Sequence, residues 1–499
     1  MTRCTPTVVR RLPPAAMKDM REGETRHMYR SRDRQEPAPE SPRRGPTVLC
    51  AAVAFSVLGV TPGVRAQAPP TKVEARGSEP TAARKLLDSL ADPALKAFAE
   101  EVLERNPALA AAAARARAAG QVAPQVKALP DPMLGGMAFV VPAETRVGPQ
   151  RWSATLSQRL PWFGKLGLRE QAAREQAAAQ DAQVEAQQLD LVTETRRLCY
   201  EIAFLDAYAG VVATDRDTLG HYEELARARY ASGVGLQQAV VKIQAEITRD
   251  DNRLLDIRNR RATLTAALNA LRDRPQDTEI PAMALPRIGS TALDMAAIRA
   301  RALDLRPEMT AADREIAQAD AMVELARKEY KPDLTLGVTY TQVGPRTDLA
   351  GVMAPPPDDG SDVFSVSLSL NLPIKRRKLA AGVEEAAQRQ VSARERKRAV
   401  VTSIDRSLGE LLERTRSTWE QLRLLEDVLG IQADQSLRSA ESGYSSGSLN
   451  SLELLDAERV LLEVRTATER ARADYAVAIA RLEGAVGEPI GGKTGGEDR

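Results

Sequence analysis

The spacing of apolar and polar positions changes period in a fixed order along the chain, and it does so twice. Residues 81 to 104 and 107 to 128 carry helical spacing, separated by Asn106-Pro107 and closed by Pro130 and Pro132. The period then shortens to two. Trp152, Ala154, Leu156 and Leu160 alternate with Arg151, Ser153, Thr155, Ser157 and Arg159, and Gln158 is the one polar residue on the apolar side. Further on, Leu334, Leu336, Val338 and Tyr340 alternate with small or polar residues, as do Phe364, Val366, Leu368, Leu370 and Leu372. This alternation predicts strands over 151–160, 333–342 and 362–372, each with one apolar and one small polar face. A strand over 133–141 alternates poorly and is assigned from its partner in the second copy.

Each strand pair leads straight into a very long helical pattern, 165–272 and 375–486. No proline occurs from Lys165 to Arg229, and an unbroken helix of that size reaches about 100 Å. On the return, Val240, Ile243, Ile247, Leu254, Ile257, Leu264, Leu268 and Leu271 follow alternating three- and four-residue steps, with Asp250 and Arg261 occupying two positions of the stripe. Leu408, Leu411, Thr415, Thr418, Leu422, Leu425 and Leu429 keep the same rhythm, as do Leu454, Ala457, Leu461, Val464, Thr468, Ala471 and Tyr475. Sustained spacing of this kind predicts antiparallel coiled-coil hairpins.

The two copies share landmarks. Leu103-Glu104-Arg105-Asn106-Pro107 is answered by Leu303-Asp304-Leu305-Arg306-Pro307, Leu129-Pro130-Asp131 by Tyr330-Lys331-Pro332-Asp333, Leu160-Pro161 by Leu372-Pro373, and Tyr230-Ala231-Ser232-Gly233 by Tyr444-Ser445-Ser446-Gly447. A whole unit is therefore duplicated, 81–272 and 291–486, around a proline-containing linker at 273–290 and before a glycine-rich tail, 487–499, expected to be disordered.

The predicted strands have about 9 to 11 residues, the length of a tilted strand crossing a bilayer. Four strands do not close a barrel, and open edges are not tolerated in lipid, so several chains must share one barrel. Pro142 to Gln150 and Gly344 to Ser361 suit exposed hairpin loops. The alternative of a soluble sandwich is disfavoured, because strands followed directly by such long helices do not build one. Val48 to Val60 is apolar, follows Arg43 and Arg44, and is too short to span a bilayer; with Ala66 and Ala68 behind it, it reads as a cleaved export signal within an extension at 1–68. Leu49 before Cys50 argues against lipid anchoring.

Composition narrows the chemistry. Charged residues make up 28% and aromatic residues 4%, and the formal net charge of +2 gives no sign of attraction to nucleic acid. Cys199 is the one cysteine beyond the leader and reads as a small buried hydrophobe, since only His27 and His221 exist as partners. No nucleophile with its base, no phosphate-binding loop and no cluster of metal ligands is present in the pattern, so neither an enzyme nor a cofactor is expected.

Taken with the duplication, these landmarks resemble the outer-membrane efflux protein family, the TolC-like channels, over about Leu86 to Gly487. Leu129-Pro130-Asp131-Pro132-Met133-Leu134 and Leu160-Pro161-Trp162-Phe163-Gly164-Lys165-Leu166 look most like its branch serving heavy-metal pumps of the resistance-nodulation-division type. The resemblance implies a homotrimer, mainly helical, in which each chain gives four strands to a twelve-stranded barrel and two coiled-coil hairpins to a periplasmic tunnel. It implies a periplasmic adaptor protein and an inner-membrane pump as partners, and outer-membrane lipid around Trp152, Leu156, Leu336, Val338, Phe364, Val366 and Leu368. Adaptor docking would fall on Tyr230, Ser232, Gly233 and Leu236 and on Tyr444, Ser446, Gly447 and Leu449. A closing aperture would use Tyr444, Glu453 and Asp456, although Leu449 and Ala239 stand where the family's latch has an arginine and an acid. Drug export, type I protein secretion and a periplasmic coiled-coil scaffold are the competing functions.

Overall fold

Two capped turns set the entry to the first helices. The computed structural model describes residues 81–290 and 293–490; the expected export signal and residues 491–499 lie outside the described residues. Helix α1 (Ala82–Asp88) is followed by α2 (Pro93–Arg105), whose N-cap Asp92 accepts from the Ala94 amide at 2.8 Å. Asp92-Pro93 thus divides the stretch expected to be one helix, through an N-cap and a proline at the first helical position. Asn106 repeats the device for α3 (Pro107–Gly120), accepting from Leu109 N at 3.0 Å while its amide donates to Leu271 O at 3.1 Å. Helix α4 (Val122–Lys127) ends this layer.

Strands β1 (Met133–Ala138), β2 (Glu144–Thr145) and β3 (Gly148–Leu160) follow. β1 stops three residues short of the expected Val141, and the loop beyond it folds into the two-residue ladder of β2 on β3. Helix α5 (Lys165–Ala231) runs unbroken for 67 residues, about 100 Å at the rise of an α-helix. Helix α6 (Gln237–Leu271) returns along it. The second copy gives α7 (Met295–Leu305), α8 (Pro307–Lys328), β4 (Leu334–Val343), a short α9 (Leu349–Met353) inside the expected loop, and β5 (Val363–Leu370). Helix α10 (Arg376–Leu424), a π-helical turn (Leu425–Leu429) and α11 (Gly430–Ser446) descend, and α12 (Ser451–Val486) returns. Residues 487–490 of the expected tail are packed: Glu488 pairs with Arg301 at 3.0 Å, and the Ile490 amide donates to Glu483. Among the described residues no helix is long and apolar enough to cross a membrane.

The sheet is antiparallel in the order β1-β3-β4-β5, with β1 and β5 at its two edges. Its register places Leu156 opposite Val338, Val338 opposite Val366, Leu336 opposite Leu368 and Tyr340 opposite Phe364. Directly paired residues share a face, so Leu134, Trp152, Leu156, Leu336, Val338, Phe364, Val366 and Leu368 form one exposed apolar surface. The opposite face carries Ser153, Thr155, Thr339, Ser365 and Ser367, with Thr155 and Thr339 hydroxyls 2.9 Å apart.

Sheet and hairpins meet at a buried ion cluster made from landmarks of both copies. Lys165 opens α5 and is 1% exposed; its Nζ donates to Asp333 Oδ1 at 2.9 Å and to Lys331 O at 3.0 Å. Asp333 also accepts from Arg159 at 2.6 Å and from the Trp162 amide at 3.0 Å. Gly164 makes the corner with φ of +83°, and a Cβ there would lie 2.2 Å from Lys328 Nζ, so no other residue fits without displacing that lysine.

The π-helical turn corrects the expected stripe on the second descending helix. Gly430 N donates to Leu425 O, five residues back, which inserts one residue into the helical count. Leu408, Thr415 and Leu422 are buried above the turn and Leu425 at its start, and below it burial passes to Ala433, Leu437, Ala440 and Tyr444, one residue later than the rhythm predicts. Leu429, expected in the stripe, is exposed. A Cβ on Gly430 would sit 3.0 Å from Leu425 O, so glycine permits the insertion. The core is correspondingly a series of clusters strung along the helices, with Ala473, Ala476 and Ala480 fully buried where α12 approaches its neighbours closely.

Lys165→Met removes one partner of a buried pair while Arg159 and the Trp162 amide remain on Asp333, so it should cost about 3 kcal/mol of stability. Thermal loss of helical circular dichroism measures this; a variant that melts with the parent would show that the corner holds without the lysine.

Candidate functional site at the helix turns

The two Tyr-x-Ser-Gly turns adopt one geometry. Gly233 and Gly447 take φ of +78° and +81°, the left-handed conformation that ends a helix at little cost only for glycine. In the first, Val234 and Gly235 amides donate to Arg229 O at 3.0 and 2.9 Å; in the second, Ser448 and Leu449 amides donate to Gly443 O at 2.9 and 3.0 Å. Tyr230 and Tyr444 carbonyls accept from the glycine amides in both.

The side chains differ between the turns. Tyr444 is buried in a cluster with Leu219, Ile243, Leu437 and Leu454, and Leu449 packs against it. A Cβ on Gly443 would meet Leu449 Cδ1 at 2.6 Å, so Gly443 is what lets Leu449 fold inward. In the first turn Tyr230, Val234 and Leu236 are exposed, the last two at 73% each. Ser232 and Ser446 are exposed beside their glycines. The first turn therefore offers an apolar surface and the second a hydroxyl surface of Ser445, Ser446 and Ser448.

Arg229 joins the turns. Its guanidinium lies 4.7 Å from the centroid of the Tyr444 ring and donates to Tyr444 O at 2.5 Å, a cation–π contact reinforced by a hydrogen bond. Sequence reasoning missed Arg229, because 215 residues separate it from Tyr444 and no local pattern marks the pair.

Glu453 and Asp456 follow the second turn on α12. Asn450 Oδ1 accepts from Leu452 N and Glu453 N at 2.8 and 3.1 Å, and Glu453 Oε2 accepts from Asn450 N at 3.0 Å. This is a complete capping box, a role that the spacing Asn450-x-x-Glu453 offered and that the sequence pattern alone did not single out. Asp456 is exposed, 4.0 Å from Arg459. Both acids border an open groove with Ser436, Ser439, Leu449 and Val460. Tyr444 lies on the buried side of α11 and does not line this groove.

Other candidate chemistry is quiet. Cys199 is fully buried, and burial pushes its thiol up to about 12, far from a reactive thiolate. Among the described residues no group of three or more His, Cys, Asp or Glu side chains is arranged to hold a metal ion.

The geometry defines a class: an antiparallel sheet with one continuous apolar face, hung on paired helical hairpins with matching turns. The sequence signature described as outer membrane efflux protein matches residues 98–272 and 298–488. The chain belongs to the outer membrane efflux protein family. It is 24% identical over 418 residues to nodulation protein T of Rhizobium leguminosarum bv. trifolii, covering 79% of this chain and 86% of that protein. The fold matches the outer membrane protein VceC of Vibrio cholerae with a TM-score of 0.66 and 21% identity, over 82% of this chain and all of that one. It matches CusC, solved in a study of transmembrane channel formation, with a TM-score of 0.65 and 18% identity, over 84% of this chain and 99% of that one.

A Cβ added to Gly233 would have no neighbour within 4 Å, and one on Gly447 would make only ordinary contact at 3.5 Å, so alanine at either adds backbone strain alone. Gly233→Ala and Gly447→Ala should each destabilise their turn by about 1 to 2 kcal/mol. Amide hydrogen exchange over 229–236 and 443–449 reads this, and unchanged exchange in both variants would contradict it.

Proposed function

We propose that three copies of this chain form a passive exit duct of a tripartite efflux system in the outer membrane. The observation that carries the proposal is a four-stranded sheet with two unpaired edges and one apolar face, continuous with hairpins about 100 Å long. Three such sheets make twelve strands, with Trp152, Leu156, Leu336, Val338, Phe364, Val366 and Leu368 facing lipid and the serine and threonine face lining the lumen. The helices then extend into the periplasm as a tunnel.

On this reading the turns at Tyr230, Ser232, Gly233 and Leu236 and at Tyr444, Ser446, Gly447 and Leu449 receive a periplasmic adaptor, which hands over substrate from an inner-membrane pump. The exposed Val234 and Leu236 give the first turn an apolar contact that the second lacks. Glu453 and Asp456 would ring the tunnel mouth as six carboxylates. Like charges in a narrow mouth repel one another and concentrate a field that favours cations. Heavy-metal cations are the substrate class favoured by the motifs at Leu129–Leu134 and Leu160–Leu166. Histidine is nearly absent and the methionines are scattered, so a metal substrate would be guided by pore shape and charge; drug or protein export by the same fold is the second reading. No bond is made or broken, and no cofactor or nucleic acid takes part.

In planar bilayers the purified protein should give cation-selective conductance, and Glu453→Ala with Asp456→Ala should raise the conductance and weaken both the selectivity and block by multivalent cations. A double variant that conducts and selects as the parent does would place the constriction elsewhere. A parent that forms no channel would overturn the duct.

A further inference from the structure

Asp250 breaks the apolar stripe of α6, and it does not turn outward to solvent. It is fully buried and faces a second buried acid, Asp215 of α5, which in turn faces a third, Glu458 of α12; these two are 6% and 3% exposed. Asp215 is within hydrogen-bonding reach of both others. The cluster lies at the upper end of the tip core of Leu219, Tyr222, Ile243, Leu454, Leu455 and Leu461, so it joins both hairpins close to their turns.

Donors run short there. Arg253 donates to Asp250 Oδ1 at 2.6 Å, yet Asp250 Oδ2, Asp215 Oδ1 and Glu458 Oε2 are buried with no donor among the described residues. The remaining ionisable neighbours are accounted for. On α5, Tyr222 donates its hydroxyl to Glu441 of α11 at 2.6 Å and also lies within hydrogen-bonding reach of Glu458, whose Oε2 nevertheless has no donor. On α6, Glu246 is held by Arg249 and by Arg459 of α12. Arg465 of α12 acts on Glu458 from a partly exposed position. Arg253 is the cation that acts on Asp250 and Asp215, and Arg465 the one that acts on Glu458, while Glu441 adds a further negative charge beside Glu458. Three fully ionised carboxylates in this site would repel one another and leave bare oxygens out of water. A protonated carboxyl supplies the O–H that its neighbour's bare oxygen lacks.

We propose that Asp215, Asp250 and Glu458 form a proton-operated clamp: shared protons hold α5, α6 and α12 together above the turns, and their loss loosens the hairpin ends. Burial, then the adjoining carboxylates, push Asp250 up to about 7, and burial likewise raises Asp215 to about 7 and Glu458 above its ordinary range. The three titrate as a coupled set. Because the folded values lie above the unfolded ones, the stabilisation is complete below the ordinary aspartate range and is lost as pH rises through about 7. The clamp stands on the helices alone and does not require the export reading.

The test is amide hydrogen exchange of the full-length protein in detergent micelles over 212–222, 246–256 and 454–462, corrected for intrinsic rates, from pH 5.5 to 8.5. Protection should fall at least about tenfold as pH passes the midpoint, because the buried carboxyls hold their protons more tightly in the folded chain than in the unfolded one by at least that factor. Asp215→Asn, Asp250→Asn and Glu458→Gln together should remove that dependence. Asp250→Asn alone takes away one like charge and should move the midpoint to lower pH. Protection independent of pH in the parent, or the same pH profile in the single variant, would overturn the clamp. So would restoration of protection by calcium at pH 8.5, which would make the cluster a cation site.

Discussion

Hydrocarbon offers no hydrogen-bond partner to a peptide group, and a sheet placed in it must leave no edge open. The outer sides of β1 and β5 are open in a single chain, so on the duct reading neighbouring chains must pair them. The other features of the molecule follow that demand. One face of the sheet is apolar because it would meet lipid, and on β3, β4 and β5 the other is mainly serine and threonine because it would meet water. Each strand pair leads into a long helical hairpin, and the corner between sheet and hairpin is held rigid. Asp333 at the foot of β4, with Lys165 at the head of α5 and Arg159 at the end of β3, fixes that corner across the two copies.

The hairpins show how a periodic pattern is modified where the structure needs something else. Arg261 stands in the stripe of α6 but donates to Asp206 at 2.6 Å and to Ile280 O at 3.0 Å, tying the linker between the copies to the helices. Gly430 admits the π-helical turn and moves burial by one residue, which brings Tyr444 inward at the second tip. Asp250 places a carboxyl opposite Asp215. Each departure from the rhythm marks a contact that regular packing does not provide.

Period and punctuation made much of the fold legible. Alternation over Leu334 to Tyr340 and Phe364 to Leu372 is strong because both flanking environments are uniform along a strand. The stretch at Met133 to Ala138 carries Gly135 and Gly136, which hide its alternation, and only the duplication pointed to it. The shared turn motif was readable because glycine at a positive φ leaves a local signature. Arg229 on Tyr444, Lys165 on Asp333 and the carboxyl cluster were not readable, since they join residues far apart in the chain and their local spacing is ordinary. The stripe positions held by Asp250 and Arg261 did signal that something interrupts the packing, without naming the partner.

The central claim is that one chain supplies a third of a barrel. Native mass measurement of the particle extracted from membranes tests it most directly. Three chains held together in detergent are expected; a particle of one or two chains would contradict the claim, because it would bring only four or eight strands to the barrel.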